Sequence, residues 1–326
     1  MRIAIIGAGP IGGILAACLA RSGEDVFVVD VDENLVSAIK DGGITLSGPA
    51  IENLSGKFTA RPAGWAADIS ELGELDVAFV CTKTTALDRV APRLKKSWKK
   101  GALLVSFQNG IDPEEVLKEV AGEEMTLRAV VNFAGHMTRP GDYSVNFFRP
   151  PNYVGPLTRN ARGHAERIAA LLSKAKLATE AVDDIKSRAY EKTSLNAALC
   201  PVCALTSLNM GEAMANPYTK MLATEILKEA RDVADRMGLK FQNTLDDWLK
   251  HLSIGGTHRT SMAIDMEAGR KTEIEFMNGK ICDYGKDLGV PTRFNDAMRW
   301  AILGKEQACN LSGGSAPASG SFPTAW

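Results

Sequence analysis

Three glycines near the start of the chain, Gly7, Gly9 and Gly12, and an acid at Asp30 have the types and spacing of a phosphate and ribose cradle. Gly7 allows a tight turn, Gly9 lets a pyrophosphate approach the backbone, and Gly12 lets a helix pack closely against a strand. Pro10 and Ile11 lie within the same turn. The helix that follows would present unpaired N–H groups and the positive end of a dipole to phosphate oxygens. Asp30 closes a second apolar run, Asp25–Val29, where an acid accepts hydrogen bonds from the adenosine ribose hydroxyls. A 2′-phosphate at that point would meet Asp30, Asp32 and Glu33, and no Lys or Arg occupies positions 30 to 34. The pattern predicts NAD(H) in preference to NADP(H). FAD is the other ligand for such a turn, and Asp30 could also simply end a strand ahead of a helix cap at Asp32 to Asn34.

A second set of polar residues lies in the C-terminal half. Lys192 and Asn196 are one helical turn apart in an otherwise apolar stretch and so share a face. Burial lowers the pKa of an ammonium, which suits proton transfer to or from a carbonyl oxygen; the same stretch also accommodates a surface lysine. Ser261 and Asp265 stand at the same spacing on a second helix. Thr272-Glu-Ile-Glu275 fits a capping box opening a third, in which Glu273 could serve only the helix dipole.

The elements that must position these residues follow from the apolar pattern. Strand and helix signals alternate through the first half, with buried runs at Ile3–Ile6, Asp76–Cys81 and Ala102–Phe107 of the parallel-sheet type. Ligands collect just past the carboxyl ends of such strands, where Thr82-Lys83-Thr84 and Gln108-Asn109-Gly110 fall. Residues 127–155 are β-like, with Pro140-Gly141 and Pro150-Pro151 as turn signals, and residues 178–182 form a last strand. Beyond Asp183 the spacing turns helical: residues 185–199, 216–237, 244–252, 261–269, 272–288 and 295–308. The expected organisation is a dinucleotide-binding domain over 1–182, a helical domain over 183–311 and a disordered Ser/Gly/Ala/Pro-rich tail over 312–326.

Composition narrows the class. Lys plus Arg number 38 against 39 Asp plus Glu, a formal net charge of −1, which argues against a general nucleic-acid or membrane-surface binder. No run approaches the roughly eighteen apolar residues of a membrane span. The chain opens on a core strand with no room for a signal peptide, and its six scattered cysteines suit reduced thiols in a cytoplasm. Cys200-Pro-Val-Cys203, following a helical stretch, lacks the second pair or histidines of a zinc site, so no metal is expected.

Taken in order, Gly7-x-Gly9-x-x-Gly12, Thr82-Lys83-Thr84, Gln108-Asn109-Gly110, Glu191-Lys192-x₃-Asn196, Ser261-x₃-Asp265 and Thr272-Glu-Ile-Glu-x₂-Asn278-Gly279 resemble the ketopantoate reductases over residues 1 to 308. The resemblance implies a Rossmann-type doubly wound sheet followed by an all-helical domain like the C-terminal part of 6-phosphogluconate dehydrogenase. It implies a homodimer, with a 2-keto or 2-hydroxy acid as substrate. It makes Lys192 the general acid/base, and Asn109 the bridge between nicotinamide and substrate. Asn196, Ser261 and Asp265 would bind substrate, and Lys83, Ala134 and Glu273 would bind cofactor. His136, near the segment that lines the nicotinamide, is expected to be a polar loop residue.

This chain departs from the family pattern where Cys200 and Met210 replace two asparagines that help hold the substrate. The replacements make the pocket less polar. With Asp30, they lean toward relatives of the D-mandelate dehydrogenase type, which favour branched or aromatic substrates. Opine-type or hydroxyacyl dehydrogenases would need a His–Glu pair, which His136, His164, His251 and His258 do not form. A non-catalytic NAD-binding sensor would not need the polar set intact.

Overall fold

The computed structural model describes residues 1–312 apart from Ser55 and Ala67. The expected tail lies, beyond its first residue, outside the described residues. The chain divides into two compact units: residues 1–193 with Leu239–Phe241, and residues 194–238 with the chain from Gln242 onward.

The first unit holds twelve described strands. They are β1 (Arg2–Ile6), β2 (Asp25–Val29), β3 (Ile44–Ser47), β4 (Phe58–Ala60), β5 (Gly64–Ala66) and β6 (Val77–Val80), then β7 (Leu103–Ser106), β8 (Thr126–Val130), β9 (Phe133–Arg139), β10 (Asp142–Phe148), β11 (Asn152–Pro156) and β12 (Thr179–Ala181). Eight of them make one sheet in the order β12-β11-β8-β7-β6-β1-β2-β5. The six strands from β8 to β5 run parallel, while β11 lies antiparallel to β8 and carries β12 parallel to itself. β6 and β7 are buried at every residue, the reason their sequences read as unbroken apolar runs. From β1 the chain moves outward to β2 and later returns to β1's other side with β6. That reversal makes the carboxyl ends of β1 and β6 the switch point at which sheets of this kind bind ligands.

The remaining strands form a second sheet, β4-β3-β10-β9. It packs on the helix Pro10–Arg21, whose residues Gly12 to Leu19 are all buried. A helix with a sheet on either side is apolar all round, not on one stripe. Pro140-Gly141 makes the expected turn between β9 and β10. The start of the helix Ile185–Thr206 belongs to this unit: Ile185 and Ala189 pack with Val130, and Tyr190 stacks on Phe241.

The described elements of the second unit are helical. Thr244, Thr260 and Asn216 cap the helices Leu245–Ser253, Ser261–Glu267 and Pro217–Arg236, and Asn209 with Glu212 forms a capping box for Met210–Ala215, a helix the spacing did not reveal. Two expectations need correction. The helix expected to stop at Leu199 continues through Pro201 to Thr206, so Cys200 and Cys203 lie within it, both buried. Pro201 has no N–H for the carbonyl of Ala197, four residues back. Asn278 Nδ2 donates to that carbonyl instead, at 3.1 Å. The same amide donates to Asn295 Oδ1 (3.0 Å), and Asn295 Nδ2 donates to Glu229 Oε2 (2.8 Å) and to the Ile226 carbonyl (3.2 Å). One tertiary contact thus replaces the bond that proline removed. The second correction is the capping box at Thr272–Glu275: only a short 3₁₀ turn, Ile274–Phe276, follows, and the α-helix begins at Asn278.

Asn278→Ala leaves the buried Ala197 carbonyl without a donor and should cost about 1–3 kcal/mol in denaturant or thermal unfolding. Adding Pro201→Ala restores a backbone N–H and should recover part of that loss; no recovery would mean the asparagine acts elsewhere.

Candidate active site

The N-terminal candidate residues and Lys192 all fall within the first unit. Gly7 ends β1 at φ +93°, and its N–H donates to the Val29 carbonyl at 2.8 Å. A Cβ on Gly7 would lie 2.8 Å from the Thr82 amide nitrogen, and one on Gly12 would lie 1.9 Å from the Gly7 carbonyl oxygen. A Cβ on Gly9, by contrast, would meet nothing within 4 Å. The turn is therefore closed by its own backbone on one side and open at Gly9. Gly9 also precedes the helix without a capping side chain, and no acid stands in the first turn. Bare N–H groups, a helix dipole and open space fit a pyrophosphate.

Asp30 Oδ2 accepts from the Ala8 N–H (2.7 Å) and Oδ1 from the Asp32 N–H (3.0 Å). A carboxylate offers about four lone-pair sites, so each oxygen keeps capacity for a ribose hydroxyl. Capping of the helix Glu33–Gly42 falls to Asp32, which accepts from Asn34 and Leu35. The turn has a further support that sequence spacing gave no sign of. The Tyr143 hydroxyl, 135 residues away, donates to the Ala8 carbonyl at 2.6 Å. Its ring covers Gly13, where a Cβ would come within 2.2 Å of it. Burial first, and Asp30 second, raise the pKa of this phenol.

At the neighbouring strand ends, Gln108 Nε2 donates to the Thr82 carbonyl at 2.9 Å and links the two predicted loops. Lys83 is exposed beside them. Lys192 Nζ donates to Asn109 Oδ1 at 3.1 Å and to the Val131 carbonyl. An ammonium has donors only, so it fixes the orientation of the Asn109 amide: oxygen toward Lys192, NH₂ away. Lys192 is half-buried and anchored, not a surface lysine. Ala134 is half-buried on β9. His136 lies on that strand rather than in a loop, exposed, with Nδ1 3.0 Å from Asn146 Oδ1.

In the second unit Asn196 is half-buried and Cys200 buried, one turn further along the same helix. Met210 lies against Gly255, where a Cβ would be 2.6 Å from its own Cβ, and its N–H donates to the His258 carbonyl. Ser261 is exposed at the start of its helix. Asp265 is buried, with Arg270 Nε 3.0 Å from Oδ1. Glu273 is buried ahead of the 3₁₀ turn, so no α-helix dipole accounts for it.

A family described as ketopantoate reductase PanE/ApbA matches residues 3–159, and its C-terminal counterpart matches residues 184–306. The chain belongs to the ketopantoate reductase family. A 2-dehydropantoate 2-reductase of Archaeoglobus fulgidus is 30% identical over 309 residues, 94% of this chain and 98% of that protein. One from Pyrococcus horikoshii is 28% identical over 322 residues, 97% of this chain and all of that protein. Among solved structures, a PanE/ApbA family ketopantoate reductase from Ralstonia eutropha superposes with a TM-score of 0.85 at 25% identity, covering 95% of this chain and 100% of that one. A D-mandelate dehydrogenase bound to NADH and anilino(oxo)acetate has the same fold, with a TM-score of 0.85 at 23% identity over 95% of this chain and 99% of its own. The family's Rossmann-type sheet and helical C-terminal part are those described above.

The two ends of the glycine turn should respond differently to a methyl group. Gly12→Ala forces backbone apart and should cost about 1–3 kcal/mol of stability. Gly9→Ala should cost at most about 1 kcal/mol, yet weaken cofactor binding by about tenfold or more. Calorimetric unfolding and cofactor titration of both variants check this.

Proposed function

We propose that this protein is an NAD(H)-linked 2-keto acid reductase, or in reverse a 2-hydroxyacid dehydrogenase, with Lys192 as general acid and base. The observation that carries the reading is the anchored Lys192–Asn109 pair at the carboxyl end of the parallel sheet, in a chain of this family. A bound nicotinamide supplies or takes the hydride at the substrate 2-carbon. Lys192 gives a proton to the carbonyl oxygen in reduction and takes it back in oxidation. Asn109 Oδ1 and the Val131 carbonyl, both accepting from Nζ, anchor the ammonium. Asn109 turns its NH₂ toward nicotinamide and substrate.

The remaining roles follow the resemblance. Gly7, Gly9, Pro10, Ile11 and Gly12 hold the pyrophosphate and Asp30 the ribose, with Lys83, Ala134 and Glu273 also on the cofactor. Asn196 and Ser261 bind the keto acid. Asp265, which accepts from Arg270, joins them on the substrate. The preference for NAD(H) rests on Asp30 and on the absence of a cation at positions 30–34.

The relatives' activity makes 2-dehydropantoate the first substrate to test. Cys200 and Met210 favour a second reading, in which a less polar pocket takes a branched or aromatic 2-keto acid. The proposal includes a cytoplasmic homodimer, in which a second copy would bury the exposed Tyr218, Met221 and Trp300; no helix among the described residues is long and apolar enough to cross a membrane.

Lys192→Ala should lower kcat by about 10²–10⁴-fold while cofactor affinity survives. Unchanged kcat would place the proton donor elsewhere. In a steady-state screen of 2-dehydropantoate, benzoylformate, 2-ketoisovalerate and pyruvate, at least one should be reduced with NADH faster than with NADPH. Asp30→Ala should erode that preference; equal use of both cofactors by the wild type would refute the reading of β2.

A further inference from the structure

Asn109 is held by the turn Gln108–Gly110, and that turn hangs from a buried guanidinium. Arg128 lies on β8 and is 2% exposed. The carbonyls on either side of Asn109 both accept from it, that of Gln108 from Nη1 at 2.5 Å and that of Gly110 from Nη2 at 2.9 Å. Nη1 also donates to Ser106 Oγ at 3.1 Å, and Nε stands 3.2 Å from Glu114 Oε2. Glu114 is 5% exposed in the first turn of the helix Pro113–Ala121, where the dipole favours its charge. Burial raises its carboxyl pKa, and Arg128 opposes that.

A buried ion pair is a weak source of stability, since apolar residues of similar volume often serve as well or better. A planar guanidinium does something they cannot: it holds two carbonyls at a fixed spacing and direction. The turn needs such a tie. Gly110 at φ +96° and Asp112 at φ +61° both hold left-handed backbone, which for Asp112 persists only where the surroundings impose it.

The geometry points to Arg128, with Glu114, as positioning residues for the reaction: they set the Asn109 amide against the Lys192 ammonium. They touch neither substrate nor cofactor. The inference rests on the roles proposed above for Asn109 and Lys192.

A double-mutant cycle in the whole enzyme, assayed with NADH and the best substrate of the screen, separates positioning from mere support. Arg128→Met with Glu114→Met replaces the pair by apolar side chains. The thermal midpoint should stay within about 5 °C of the wild type, NADH affinity within about threefold, and kcat should fall by about 10²-fold. Asn109→Ala should then cost this variant less than about threefold, far less than it costs the wild type, because the amide is already displaced. The positioning role is overturned if kcat of the paired variant stays within about threefold of the wild type, or if Asn109→Ala costs the same factor in both backgrounds. If Asn109→Ala costs the wild type nothing, the active-site reading itself falls, and this inference with it. Should the paired variant not fold, Arg128→Lys keeps the charge but cannot span both carbonyls. The same cycle then runs in that background, and the same two results overturn the role.

Discussion

The structure depends on how closely backbone meets backbone where β1 turns into its helix. Gly12 lies where a methyl group would reach the Gly7 carbonyl, and Gly7 lies against Thr82 at the end of β6. These approaches pull the helix N-terminus onto the sheet at the point where strand order reverses. Anything bulkier would push the helix away and with it the bare N–H groups at Gly9. The crowding is thus on the inner side of the turn and the open space on the outer, and a phosphate needs both. Asp30 and Tyr143 secure the result from two directions, one accepting from the Ala8 N–H and the other donating to the Ala8 carbonyl.

The same logic of fixing backbone before chemistry recurs at the next strand ends. Gln108 binds one loop to the other, Arg128 holds the turn that carries Asn109, and Asn109 holds Lys192. Each step orients the next through donors and acceptors with few alternatives. A flexible lysine stem carries high rotamer entropy, so its ammonium keeps one position only with this kind of anchoring. The helical unit uses a comparable repair, with Asn278 answering the carbonyl that Pro201 leaves unpaired.

Much of this was legible from residue types alone. The buried strands, the glycine turn, the acid after β2 and the polar pair on the lysine helix are local patterns with local causes. The failures were local rules overridden at a distance. Pro201 reads as a helix stop unless a donor from residue 278 is known to reach it. Thr272–Glu275 has the letters of a capping box, but the backbone there makes only a 3₁₀ turn. Tyr143 and Arg128 carry no signal, because a tyrosine and an arginine in β-like segments look like any others until their partners 135 and 18 to 22 residues away are in contact.

By itself, the sequence determined the kind of ligand and the family: spacing of glycines, an acid at a strand end and a Lys-x₃-Asn helix are set by covalent order and element period. Tertiary structure alone decided which groups hold those residues in place. Hydrogen bonds act over about 3 Å, and only folding brings Lys192, Asn109, Arg128 and Glu114 within that distance of their partners.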